Sequence, residues 1–218
     1  MSKADNPAPG GHWRQAGMSL VEMVIALSGI AAILLTAYSV ITATAEISDS
    51  TKEFSILNRK VHAATERVLG RIYQAQVSGI LIDSSGSAMT FQEATDYVDG
   101  SLVMGTTSII EMVSDPNDPF DGIDNDNDGL TDEADIVLRT DYGLPSQKTT
   151  VLAQDLQRYL DGETANGLDD NGNGLIDENG LSFELVGRAL TIRIGMDLVQ
   201  HNGNILSRTA ETSFTLRN

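Results

Sequence analysis

From Met23 to Ala45 the chain runs 23 residues without a charged side chain. Nothing else in its 218 residues constrains the fold as much. A helix needs about 20 mainly apolar residues to cross a bilayer, so this stretch reads as a membrane-spanning helix. The polar residues before it carry Lys3 and Arg14, while Glu46, Asp49 and Glu53 follow it. That asymmetry places the N-terminus in the cytoplasm and the bulk of the chain outside. Glu22 sits near the start of the run. A carboxylate at that depth is costly unless a cation partners it, which makes Glu22 a functional candidate.

The residues around it read Gly17-Met18-Ser19-Leu20-Val21-Glu22, behind a short basic leader and ahead of the apolar run. This pattern resembles the processing site of type IV pilins and pseudopilins, with Met18 standing where most members have Phe. The resemblance implies that a prepilin peptidase cuts between Gly17 and Met18 and that Met18 is N-methylated. It further implies that the new amine of one subunit neutralises Glu22 of a neighbour and sets the register between other pilin or pseudopilin subunits. Residues 1–17 would be the leader and the inner membrane the first home of the chain, with its head periplasmic before assembly into a pilus or pseudopilus.

Residues 46–78 contain no Pro and a single Gly, Gly70. Phe54, Leu57, Val61, Ala64, Val68 and Ile72 recur at spacings of three and four, one face of a helix. One helix is therefore expected over 18–78, about 90 Å long, with 18–45 in the membrane or a filament core. Ser39 stands where many major pilins have a helix-kinking Pro, a departure that favours a minor pilin or pseudopilin.

Beyond Gly79 the pattern changes to short alternating runs. Strands are expected at Gly79–Asp83, Ala88–Gln92, Leu102–Val113, Ile136–Thr140 and Thr150–Ala153, followed by a short helix at Gln154–Leu160. Leu181–Val186, Ala189–Val199 and Ile205–Leu216 read as three more strands, the last two joined through the turn His201-Asn202-Gly203-Asn204. The expected fold class is α+β: a long N-terminal helix packed on an antiparallel sheet in a head of residues 79–218, with two acidic loop insertions at 115–135 and 161–180. The ending Thr215-Leu216-Arg217-Asn218 resembles that of larger minor pseudopilins of the J type or pilus proteins of the W type.

Those insertions concentrate the charge. The chain has a formal net charge of −17 and a pI near 4.3. Such a balance disfavours nucleic-acid binding through phosphate neutralisation, and no nucleic-acid partner is expected. Residues 111–135 and 161–180 hold 16 of the 31 acidic residues. Self-repulsion at that density calls for cations. Residues 121–133, DGIDNDNDGLTDE, align without gaps on residues 166–178, NGLDDNGNGLIDE, at an offset of 45.

The D-x-[DN]-x-[DN]-G spacing brings three side-chain oxygens around one point, with Gly permitting the sharp turn. In the first loop these are Asp124, Asp126 and Asp128; in the second, Asp169, Asn171 and Asn173. Leu130 and Leu175 would offer backbone carbonyls, and Asp132 is a further candidate. A set of hard oxygen ligands selects Ca2+. The loops resemble EF-hand-like, dockerin and thrombospondin type 3 calcium loops. Asp135 occupies position twelve of the first, as in dockerin loops, but Gly180 takes that place in the second, which would need Glu178, Asp177 or another segment to close its shell. Two Ca2+ sites are expected, as metal clips in a head that has no cysteine and so no disulfide.

His12, His62 and His201 are scattered, and the sequence has no phosphate loop, dinucleotide fingerprint or Ser/His/Asp arrangement. The expected protein is no enzyme. It reads as a filament subunit or, in the alternative, as a membrane-anchored calcium-dependent adhesin or binding module that does not polymerise.

Overall fold

The computed structural model describes residues 18–73, 75, 79–160, 162–172 and 175–216. The processing residue Gly17 and the candidate ligand Asn173 lie outside these. The chain divides into two compact units between Ser48 and Asp49.

Helix α1 spans Leu20–Ile72. It begins with a capping box: Ser19 Oγ accepts the Glu22 N–H at 3.2 Å, and Glu22 Oε2 accepts the Ser19 N–H at 2.9 Å. The helix is long and apolar enough to cross a membrane, and the side chains of its apolar window are exposed throughout. Thr36, Thr42 and Thr44 turn their hydroxyls back onto carbonyls of the preceding turn, so their polar groups are satisfied within the helix.

In the second unit α1 lays Leu57, Val61, Ala64, Val68 and Ile72 into the core, each no more than 1% exposed. This is the stripe expected from the spacing, except for Phe54, which is 44% exposed beneath the Arg208 guanidinium. The helix stops at Ile72, earlier than residue 78, because the chain is already committed elsewhere. The Ala75 N–H returns to the Ile72 carbonyl, and Ala75 bridges Glu93 of the sheet.

Eight strands follow: β1 Leu81–Ile82, β2 Ala88–Val98, β3 Ser101–Ser114, β4 Ala134–Thr140, β5 Lys148–Leu156, β6 Leu181–Val186, β7 Ala189–Val199 and β8 Ile205–Thr215. All pairings are antiparallel, in the order β1-β2-β3-β4-β5-β7-β6, with β8 along the other side of β7. The fold is thus α+β, one long N-terminal helix packed on an antiparallel sheet, which is a pilin-like arrangement. Met89, Phe91, Ile110, Ile136, Leu190, Ile192 and Ile194 meet the helix stripe in a single core. Lys60 pairs with Asp155 at 2.5 Å, and Arg67 donates to the Leu152 carbonyl at 2.8 Å, pinning α1 to β5.

Gln154–Leu160 forms no helix. β5 continues to Leu156, with a bulge opposite Asp135 and a positive φ of 59° at Asp155. The chain then reaches across to β7. Leu156 pairs with Met196, Gln157 N–H donates to the Gly195 carbonyl, and Gly195 N–H donates to the Gly180 carbonyl. These long-range bonds outcompete the local helical preference of a seven-residue segment, because an isolated helix that short is unstable. Glycine is required at the crossing: a Cβ on Gly180 would lie 1.8 Å from the Gln157 carbonyl oxygen.

Candidate metal centre

Both acidic loops are hairpin-like excursions with closed necks. The first joins β3 to β4 above the pair Ser114–Ala134, and Asp115 N–H donates to the Glu133 carbonyl at 3.0 Å. The second leaves β5 for β6 above the bridge Tyr159–Asn179, and Leu160 N–H donates to the Glu178 carbonyl at 2.9 Å. These contacts sit at the same offset of 45 as the sequence repeat, so the repeat is one of tertiary geometry as well.

Within the first loop, each aspartate of the spaced trio folds the backbone around itself. Asp124 accepts the N–H groups of Asn127 at 2.6 Å and Gly129 at 3.1 Å. Asp126 accepts the Asp128 N–H at 3.1 Å, and Asp128 accepts the Leu130 N–H at 2.9 Å. These Asx turns are the local chemistry that short acidic side chains favour. They leave one oxygen from each of Asp124, Asp126 and Asp128 within 4.8 Å of one another, close enough to share one ion. Backbone N–H dipoles offset only part of three full charges at that spacing, and a divalent cation would offset the rest. Gly129 has φ 95°, the left-handed region that glycine enters freely, where the chain turns over Val199.

The other residues expected around this ion are held differently. Leu130 is buried. Asp132, at φ 59°, gives one oxygen to the Gly122 N–H at 2.7 Å and the other to Arg158 Nη1 at 2.7 Å. Asp135 lies in β4 opposite Val113, 5% exposed, with Oδ1 buried and without a hydrogen-bond partner. Both stand outside the trio. Burial, then repulsion from Asp115 and Asp155, pushes the Asp135 carboxyl up to about 6.

The second loop keeps the framework with fewer charges. Asp169 accepts the Gly172 N–H at 2.7 Å, as Asp124 accepts that of Asn127. Asp177 accepts the N–H groups of Asn166 and Gly167, as Asp132 accepts that of Gly122. Asn171 is exposed, Leu175 is half-buried and Glu178 is buried. Gly180 explains the missing twelfth carboxylate, since any side chain there would meet the Gln157 backbone.

Two anchoring residues lie outside the D-x-[DN]-x-[DN]-G motif. Asp118 is 1% exposed and spans the neck of the first loop, accepting the Asn125 N–H at 2.8 Å and the Glu133 N–H at 3.4 Å. Glu163 does the same in the second, accepting the N–H groups of Asn171 at 3.0 Å and Asp177 at 3.1 Å. Extending the alignment three residues upstream puts Asp118 on Glu163, so the signal was present in the repeat. A hydrogen bond from Glu133, followed by the backbone donors, holds Asp118 down at about 2. Burial, then the shared hydrogen bond with Asp118, raises Glu133 to about 8.

Met18 is exposed just ahead of α1, and the Glu22 carboxylate is engaged in the capping box described above. The fold and the loops therefore describe a membrane-anchorable helix, a sheet head and an aspartate trio suited to a divalent cation. Comparison of the chain with protein-family models, curated proteins and solved structures finds no match.

Proposed function

We propose that this chain is a pilin-like structural subunit, a minor pilin or pseudopilin, that is cut between Gly17 and Met18 and assembled through its N-terminal helix into a pilus or secretion pseudopilus. The observation that carries the reading is the division of labour along α1. Its C-terminal part is built into the core of the head, whereas the apolar N-terminal part has Leu20, Val21, Val24, Ile25, Leu27, Ile33, Leu34 and Leu35 all more than half exposed. A large apolar surface of that kind is tolerated only in a bilayer or against other helices. After cleavage, the amine of Met18 would compete with the Ser19 N–H for Glu22 of a neighbouring copy, a stronger charge-assisted partner in an apolar bundle.

In the head, the Asp124–Asp126–Asp128 trio would bind Ca2+, and the second loop would bind a second ion with Asp169, Asn171 and the Leu175 carbonyl. The ions would clip long excursions of a sheet that has no disulfide. Prepilin peptidase and other pilin-like subunits are the partners this reading requires.

The experiment is mass mapping of the mature N-terminus from membranes of cells carrying a prepilin peptidase. A first residue of methylated Met18 is expected. Intact residues 1–17 on the mature protein would overturn the filament reading in favour of a non-polymerising anchored binding module.

A further inference from the structure

Arg158 lies between the end of β5 and the second acidic loop, yet its side chain serves the first. Its Nη1 donates to Asp132 on the outgoing arm of the first loop at 2.7 Å. Its guanidinium lies 4.7 Å from the ring centroid of Phe120 on the incoming arm, and 5.4 Å from that of Tyr159. Its backbone carbonyl accepts the Gly180 N–H at 3.1 Å, on the outgoing arm of the second loop. The side chain thus clasps both arms of one loop, while the main chain is fastened to the neck of the other.

We propose that Arg158 is a positioning residue that couples the two acidic loops, so that ordering the first with a divalent cation raises the affinity of the second. The inference rests on the cation reading of the loops given above. Both sides of the link are stiff. Asp132 is held at its other oxygen by Gly122 N–H, so a shift in the closure of the first loop moves the carboxylate that Arg158 grips. On the far side, Gly180 sits so close to the Gln157 carbonyl that 157–158 and 180 have no slack between them. Val113 stands at the place in the first loop that Arg158 takes in the second, so among the described residues the repeat has no second latch of this kind. Planar, bidentate-capable guanidinium suits this double task of ion pairing and stacking, which an ammonium does only in part.

The test uses the full chain in detergent micelles, with Ca2+ alone as the probe, titrated calorimetrically. Asp124→Ala disables the first loop and is expected to weaken binding at the second by about fivefold or more, the lower range of allosteric coupling. In an Arg158→Ala background the same substitution should leave second-loop affinity unchanged, and Arg158→Lys should restore part of the coupling. Second-loop affinity that ignores Asp124→Ala in the otherwise wild-type chain overturns the proposal. A second readout needs no ion and no Arg158 variant. With chelator present, Asp132→Asn is expected to speed hydrogen exchange of the Gly167 and Leu168 amides, although Asp132 bonds to neither. Unchanged exchange there overturns the coupling. A wild type that takes up no Ca2+ retires the metal reading instead, and the exchange result then decides the coupling alone.

Discussion

Gly180→Ala tests the crossing on which the head depends. A Cβ at this position would lie 1.8 Å from the Gln157 carbonyl oxygen and 2.9 Å from its carbon. Ordinary contact between such atoms is about 3.5 Å, so the two backbones must part by more than 1 Å. Three hydrogen bonds converge here: Gln157 N–H to Gly195, Gly195 N–H to Gly180, and Gly180 N–H to Arg158. Losing them costs about 1 kcal/mol each, and residual strain adds about 1–2 kcal/mol, for a total of about 4–5 kcal/mol. For a head of this size each kcal/mol lowers the midpoint by about 2–4 °C, so a fall of roughly 10–20 °C is expected. The assay is differential scanning calorimetry of the full chain in detergent. Two controls sharpen it. The three atoms nearest a Cβ on Gly195 all belong to the flexible Gln157 side chain, which can swing away, so Gly195→Ala should cost less and be relieved by Gln157→Ala. Gly70, in the helix, has nothing within 4 Å, and Gly70→Ala should be neutral or stabilise by about 0.5–1 kcal/mol. A Gly180→Ala midpoint within 2 °C of wild type, by the same conversion about 1 kcal/mol or less, would refute the crossing as drawn.

Two further outcomes follow from the loops. Ca2+ at a hundredfold excess over its dissociation constant should stabilise the head by about 2.7 kcal/mol per site, read as a rise in melting midpoint that chelator removes. Asp124→Ala should abolish the larger part of that rise and Asp169→Ala the smaller, and a midpoint indifferent to chelator would reject both sites. Stability without divalent cations should also fall as pH rises from about 4 to about 8. Glu133, raised from 4.5 to about 8, and Asp135, raised from 3.8 to about 6, both bind protons more tightly in the folded chain, so each favours folding less once deprotonated. Asp118, lowered from 3.8 to about 2, acts the other way and withdraws stability only as pH falls below about 4. Unfolding midpoints measured from pH 3 to pH 9 in chelator should therefore peak between these windows; a flat profile above pH 4 would show that the two carboxyls are not buried as described.

Much of this was legible along the chain because it is local. The helix stripe Leu57, Val61, Ala64, Val68 and Ile72 follows from a period of 3.6, and β6 and β7 run over the residues that alternation and turn chemistry assign them. The aspartate trio follows from alternate positions in a tight turn, since each carboxylate folds the two or three residues after it. Spacing could not foresee where Asp132 would turn, because its Arg158 partner arrives from 26 residues away. Nor could it show Glu133 and Asp135 as buried, unusually weak acids, since their shifts come from burial and from carboxylates on other segments.

The sequence by itself determined the membrane-span-like helix, the class of fold and the two repeated loops, the first two through short-range periodicity and the loops through a repeat at an offset of 45. Only the tertiary structure decided that α1 ends at Ile72, that Gln154–Leu160 crosses to β7 instead of coiling, that Asp118 and Glu163 lock the loop necks, and that Arg158 joins them. Each of these depends on two distant segments approaching closely enough to bond or to exclude a side chain. The clearest case is Gly180: by itself a gap in a ligand pattern, it is in the fold the place where a neighbouring carbonyl leaves no space for a carboxylate.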